Sequence, residues 1–251
     1  MRASRSALNE TLFTEMQNCN FCGSKHKIGN WWCRAYNPLL GCSKVSPGCT
    51  HCWAESMARR FYGQKWGKPL IELTPAEAPL YWTKPKRIFA FSMSDLFHEK
   101  IADIEIKYYL KIIQKTDWHT FFVLTKRPER MFAFFSKHEV PENLWLGVSI
   151  ESREYLYRLS LLKTLNHKKS FVSFEPLLSP VSPWQIDKRI GWVIAGCESG
   201  PGARPMELDW VRKIRDVCIE AKIPFFFKQA YIGKKLVHLP PLDGVVWAQK
   251  P

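Results

Sequence analysis

At 251 residues, 46% of them hydrophobic, the chain is long enough to bury one sizeable core and fits a single large domain. Its apolar runs are broken by Lys, Arg, Pro or Asp within about a dozen residues, too short for a membrane-spanning helix, and Met1-Arg2-Ala3-Ser4-Arg5-Ser6 has no apolar core behind it, so a cytoplasmic location is expected rather than secretion. The formal net charge of +14 points to polyanions, nucleic acid first, with an anionic nucleotide-like small substrate as the other fit.

Residues 1–18 are polar and read as an arm or short helix, the start of an N-terminal extension spanning 1–35. Cys19-Asn20-Phe21-Cys22 follows, with His26 and Cys33 close behind. A Cys-x2-Cys knuckle of this kind is either a second metal site, for zinc, or ordinary loop cysteines; His26 and Cys33 do not fall at a standard return spacing. Eight cysteines in a reducing setting argue for free thiols and metal rather than disulfides.

The stretch Gly41 to Glu55 carries Cys42, Cys49 and Cys52 in a Cys-x6-Cys-x2-Cys spacing, in a loop marked by Gly41, Pro47 and Gly48 and followed by a predicted helix over Trp53 to Tyr62. Clustered thiolates select zinc or iron–sulfur centres over calcium or magnesium. A fourth ligand, His51 or a distant cysteine, would complete a tetrahedral zinc site. Three cysteines alone suggest a four-iron cluster with one iron open. Spacing leaves the two open.

Beyond this loop, short apolar runs alternate with helical periods. Strands are predicted at Arg87–Ser92, Thr120–Thr125, Leu144–Ser149, Ser170–Phe174, Gly191–Gly196 and Pro224–Lys228, and helices at Ile104–Lys115, Glu129–Ser136 with Pro128 at its start, Glu151–Leu165 and Leu208–Ala221. The pattern predicts an α/β fold, a partial or complete (β/α) barrel over residues 36–251 with about six or seven βα units. Five strand ends are polar: Ser92, Ser94 and Asp95; Thr125, Lys126 and Arg127; Ser149 and Glu151; Ser173 and Glu175; Cys197, Glu198 and Ser199. Such ends surround the site in barrels of this kind. Basic residues also cluster with aromatics, as in Arg59-Arg60-Phe61-Tyr62 and Trp82-Thr83-Lys84-Pro85-Lys86-Arg87, which adds to the case for nucleic acid.

The run from Tyr36-Asn37-Pro38 through Cys52-Trp53-Ala54-Glu55 resembles the signature of a phage-associated three-cysteine family of radical S-adenosylmethionine (SAM) proteins. Phe91-Ser92-Met93-Ser94-Asp95-Leu96-Phe97-His98, Leu124-Thr125-Lys126-Arg127-Pro128, Leu146-Gly147-Val148-Ser149-Ile150-Glu151, Ser173-Phe174-Glu175-Pro176 and Gly196-Cys197-Glu198-Ser199-Gly200-Pro201-Gly202 resemble later segments in the same order. The family often carries an acidic residue before its Trp-Asn-Pro; here Asn30 to Pro38 has none. The resemblance implies a TIM-barrel-like radical SAM enzyme with a [4Fe–4S] cluster on Cys42, Cys49 and Cys52 and a deoxyadenosyl radical drawn from SAM. It places Ser92, Ser94 and Asp95 at the SAM amino group, Lys126 or Arg127 at its carboxylate, and Ser149 with Glu151 at the ribose. Glu175, Glu198 and Cys197 are the catalytic candidates. With the charge, it implies a base in nucleic acid as substrate, DNA ahead of RNA: a hypermodified thymidine of phage DNA, rearranged or isomerised after flipping from the duplex. An electron donor for the cluster is implied as a partner. The rival reading is a non-catalytic, zinc-stabilised nucleic-acid-binding protein, which leaves the polar strand ends unexplained.

Overall fold

Strands whose successive side chains point to opposite apolar faces, each followed by a crossover segment, build the molecule. The computed structural model describes residues 16–19, 21–63, 66–67 and 71–251. The predicted arm lies outside them as far as residue 15, and β1 (Met16–Asn18) pairs with β2 (Lys25–Lys27) in a short hairpin. Then come β3 (Arg34–Tyr36), β4 (Leu39–Leu40), α1 (Trp53–Tyr62), β5 (Ile71–Glu72), β6 (Arg87–Ala90), α2 (Asp103–Lys115), β7 (Thr120–Thr125), α3 (Pro128–Phe135), β8 (Leu144–Ser149), α4 (Tyr157–Thr164), β9 (Ser170–Phe174), β10 (Trp192–Gly196), α5 (Leu208–Glu220), β11 (Phe225–Ile232), β12 (Lys235–His238), β13 (Pro241–Leu242) and β14 (Val245–Val246).

Eight strands form one curled half-barrel sheet in the order β12-β11-β10-β9-β8-β7-β6-β3, parallel throughout except for the β11–β12 pair. The partial-barrel expectation is met. The expected boundary at residues 35 and 36 falls inside β3, so the barrel begins earlier than the sequence reading placed it. One strand also ends early: Phe91 has φ 59°, a left-handed conformation rare for an aromatic residue. It stops β6 at Ala90 and turns the following Ser92 to Asp95 segment into the mouth. The helix predicted over 151–165 is a 3-10 turn, Arg153–Tyr155, followed by α4.

The two faces of the sheet carry different cores, as period-two alternation requires. On the convex face Phe121, Val123, Val148, Val172 and Phe225 pack with Ile106 and Ile113 of α2, Leu159 of α4 and Ile214 of α5. On the concave face Phe122, Phe171, Trp192, Ile194 and Phe226 close around Trp31, which sits 4.9 Å from the Phe89 ring and 5.1 Å from those of Phe122 and Trp192. Trp31 comes from the loop before β3 and plugs the floor of the half-barrel. Gly147 on β8 makes room for this cluster: a Cβ there would lie 2.4 Å from the Phe171 ring.

Candidate functional site

Above the aromatic floor, the carboxyl ends of the strands enclose a pocket. Its walls include the loop carrying Cys42, Cys49 and Cys52, together with Ser92, Ser94, Asp95, Lys126, Arg127, Ser149, Ser173, Glu175, Cys197, Glu198 and Lys228. The ring of polar strand ends expected from the sequence is therefore brought together, with one exception. Glu151 is fully buried and does not line the pocket, so the ribose role expected of it is not what the geometry gives.

Much of the ring's charge is spent on holding the cysteine loop. At its start, the Arg127 guanidinium donates to Cys42 Sγ at 3.5 Å and to Ser43 Oγ at 2.7 Å, while pairing with Asp95 Oδ2 at 3.1 Å and Glu99 Oε2 at 3.0 Å. Asp95 is saturated in turn: Oδ1 accepts from Thr125 Oγ1 at 2.7 Å and the Phe97 amide at 3.0 Å, and Oδ2 from the Lys126 amide as well. In mid-loop, Glu151 lies directly beneath Gly48, where a Cβ would meet its carboxyl oxygen at 3.0 Å; it pairs with the buried Arg158 at 2.8 Å. At the far end, Glu198 accepts from His51 Nδ1 at 2.9 Å and from Arg204, whose guanidinium also reaches Pro47 O at 2.8 Å. Buried charges persist only when paired in this way. Two arginine–carboxylate pairs thus bond to the loop, at Cys42–Ser43 and at Pro47 and His51, and a third lies beneath Gly48. Asp95, Arg127 and Glu198, expected to bind SAM or act on substrate, line the pocket and take part in these bonds, while Glu151 lies beneath the loop.

The groups left to face the pocket are fewer. Ser94 Oγ is buried without a hydrogen-bond partner. Ser92 donates to Asn37 Oδ1 at 3.0 Å, so the Asn of the Tyr36-Asn37-Pro38 run ties β3 to the turn after β6. Ser149 and Lys126 line the pocket, and Lys126 Nζ has no carboxylate partner among the described residues. Glu175 accepts from Ser173 Oγ at 3.0 Å and pairs with Lys228 at 2.8 Å. A bulge in the β10–β11 pairing, where Ala195 faces Phe227 but Gly196 faces Gln229, leaves Lys228 as the extra residue and puts both Lys228 and Gln229 at the pocket. Cys197 lines the pocket too, its thiol pushed up to about 11 by burial.

Cys42, Cys49 and Cys52 are half-buried. Burial and the Asp95 carboxylate push the Cys42 thiol up to about 11 against the pull of Arg127, and burial raises Cys52 although the Glu55 and Ala54 amides at the head of α1 oppose it. Cys52 caps that helix, and Gly63, at φ 58°, ends it. A single tetrahedral zinc, with Zn–S bonds of about 2.3 Å, needs its sulfurs about 3.8 Å apart. A cluster that gives each cysteine its own iron holds them further apart. Three thiolates offered by one loop are donors that suit a zinc ion or an iron–sulfur centre.

The second cysteine group is arranged otherwise. Cys19, Cys22, His26 and Cys33 bring four donor atoms within 4.8 Å of one another, a group that could hold a metal ion. His26 and Cys33 join it because the β1–β2 hairpin and the turn through Trp31 fold them back, which linear spacing does not reveal. Elsewhere, the basic–aromatic runs split: Arg34 covers Trp82 at 4.2 Å and Arg87 covers Phe21 at 4.6 Å, as packing, whereas Trp53, Phe61 and Tyr62 of α1 are exposed beside Arg59 and Arg60. No helix among the described residues is long and apolar enough to cross a membrane.

Over residues 26–251 the chain matches the model of a family described as "Protein of unknown function (DUF5131)", and it belongs to that family. No curated protein and no solved structure matches the chain.

Proposed function

We propose that this protein is a radical SAM enzyme acting on a base in nucleic acid. The observation that carries the reading is the cysteine loop itself: three half-buried thiols at the mouth of a half-barrel, in a loop bonded by Arg127 and Arg204 and facing a pocket lined by polar strand ends. Cys42, Cys49 and Cys52 would hold a [4Fe–4S] cluster, and Arg127, donating to Cys42 Sγ, would offset part of its negative charge. When bound, that cluster supplies the electron that cleaves SAM to methionine and a deoxyadenosyl radical. The chain's own part is to bind, orient and exclude water. Ser94 Oγ, buried without a partner, offers a contact for a polar ligand group, and Lys126 is the cation available for a carboxylate. Ser149 is placed for hydroxyl groups, while Ser173, Glu175 and Lys228 form a linked set on the opposite wall, suited to a substrate's polar edge. Cys197 stands beside that set.

Nucleic acid fits the surface around the mouth. The net charge of +14 favours polyanions, and α1, which rises from Cys52, presents exposed Trp53, Phe61 and Tyr62 with Arg59 and Arg60. Aromatic faces flanked by guanidinium groups suit unstacked bases and their phosphates. DNA carrying a modified pyrimidine is the first substrate class to screen, and a rearrangement the first outcome to look for; an electron donor is the partner this chemistry requires. The zinc-stabilised binding-protein alternative has the Cys19–Cys33 group in its favour but gives no account of the pocket.

The test is anaerobic reconstitution with iron and sulfide, reduction with dithionite, addition of SAM and quantification of deoxyadenosine. Formation that disappears when Cys42, Cys49 or Cys52 is replaced by Ala supports the reading. A colourless protein that yields none retires it.

A further inference from the structure

We infer that Cys19, Cys22, His26 and Cys33 bind one structural zinc ion that fastens the N-terminal hairpin beneath the floor of the half-barrel. The inference is independent of the SAM reading, because none of these four residues lines the mouth pocket.

The four donor atoms lie within 4.8 Å of one another, close enough to converge on one ion. Cys19 Sγ lies 3.7 Å from Cys33 Sγ, and Cys22 Sγ 3.0 Å from His26 Nε2. Zn–S bonds of about 2.3 Å and Zn–N bonds of about 2.0 Å place tetrahedral donors about 3.5 to 3.8 Å apart. The sulfur–sulfur distance is far beyond the roughly 2.05 Å of a disulfide, so oxidation is not what draws Cys19 and Cys33 together. Three thiolates and one imidazole fill four positions and leave none open, the mark of a structural rather than a catalytic zinc.

The backbone around the sulfurs is built for thiolates. Gly23 takes φ 69° and returns its amide to Cys19 O at 2.8 Å, and Cys19 N closes onto Ser24 O at 2.9 Å, so the knuckle is a tight turn that only glycine completes without strain. Arg87 N, at the start of β6, donates to Cys33 Sγ at 3.4 Å, supplying the outer support that metal-bound sulfur takes. Three thiolates on a divalent ion leave one net negative charge, and Arg87 and Lys250 line the cavity beside the group. The family match begins at residue 26, so Cys19 and Cys22 lie before it while His26 and Cys33 lie inside.

The site also has something to hold. Trp31, the floor plug, sits between His26 and Cys33, and Cys33 immediately precedes β3. An ion bridging Cys19, Cys22, His26 and Cys33 fixes both ends of the segment that carries that indole.

The experiment uses the full chain carrying Cys42→Ser, Cys49→Ser and Cys52→Ser, so that no metal read out can belong to the pocket cysteines. Purified with zinc, this variant is expected to hold one zinc per chain, and adding Cys22→Ser to bring that to near zero. Absence of zinc in the triple variant, or the same zinc content after Cys22→Ser, overturns the assignment. Loss of folding cannot mimic a second readout: with cobalt in place of zinc, His26→Cys keeps one metal, shifts the d–d bands to longer wavelength and raises the thiolate-to-cobalt absorbance by about one third, as a fourth sulfur replaces nitrogen. A cobalt spectrum indifferent to His26→Cys sinks the proposal. Because the pocket cysteines are absent throughout, either result leaves the question of the iron–sulfur cluster untouched.

Discussion

The floor and the mouth of the half-barrel are two levels of one concave face, and they are held together by opposite means. The floor is aromatic: Trp31, Phe122, Phe171, Trp192 and Phe226 meet edge to face, and their packing needs no charge. The mouth is ionic: Asp95 with Arg127 and Glu198 with Arg204 bond to the cysteine loop, and Glu151 with Arg158 lies beneath it. Carbon contacts tolerate neither polar ligand nor water. Paired charges at the mouth can fix cysteines in place while leaving hydroxyls and a lysine turned inward. The difference separates what makes the barrel stable from what makes the site specific.

The strongest attack on this comparison is at the mouth. Cys49→Ala is expected to abolish iron retention after reconstitution, while Cys218→Ala, whose thiol is fully buried between α5 and the sheet, is expected to retain wild-type iron. Equal iron in the two would break the assignment of the loop. At the floor, Trp31→Ala should cost about 3–5 kcal/mol in denaturant unfolding, as removal of large buried aromatics does. Ser94→Ala at the mouth should change stability by under about 0.5 kcal/mol yet weaken SAM binding measured by calorimetry. A Ser94→Ala protein as unstable as Trp31→Ala would show that the two levels are not separable. Gly147→Ala tests the floor more finely: its methyl would press on the Phe171 ring, with a cost of about 1–3 kcal/mol seen in the same unfolding assay.

The sequence was most informative where periodicity alone decides. β7, β8, β9 and α1 begin and end where their apolar runs and flanking residues place them. β3 escaped because Arg34-Ala35-Tyr36 is too short and polar to read as a strand; it becomes one only by pairing with β6. Trp31 gave no sign of being a plug, since a Trp before a strand is equally at home on a surface. The bulge at Lys228 follows from pairing with β10, which no local motif announces. The polar ring was legible as a ring, but the direction each carboxylate faces was not. Glu151 and Glu198 have the composition of site residues, and only the burial of Arg158 and the return of Arg204 show them bracing the loop. For the same reason His26 and Cys33 looked unpaired with the knuckle until the hairpin folded them back.

The subtlest separation of the two levels is by acid. Burial works to raise the Glu198 carboxyl, but bonds from Arg204 and His51 outweigh it and hold its pKa down to about 2, below the ordinary 4.5. A carboxyl depressed in the folded state contributes stability that is fully present above its unfolded pKa and is lost as pH falls through the folded one. Glu198 therefore stabilises the loop at pH 7, and its contribution drains away between about pH 4.5 and pH 2. Comparing wild type with Glu198→Gln cancels the other titrating carboxylates common to both. The gap in unfolding midpoint should be largest near neutrality and close progressively below pH 4.5. The gap between wild type and Trp31→Ala should hold constant over the same range, because no titrating group enters that contact. A Glu198→Gln gap that persists unchanged at pH 2.5 would mean that the mouth is held by shape, as the floor is, and not by charge.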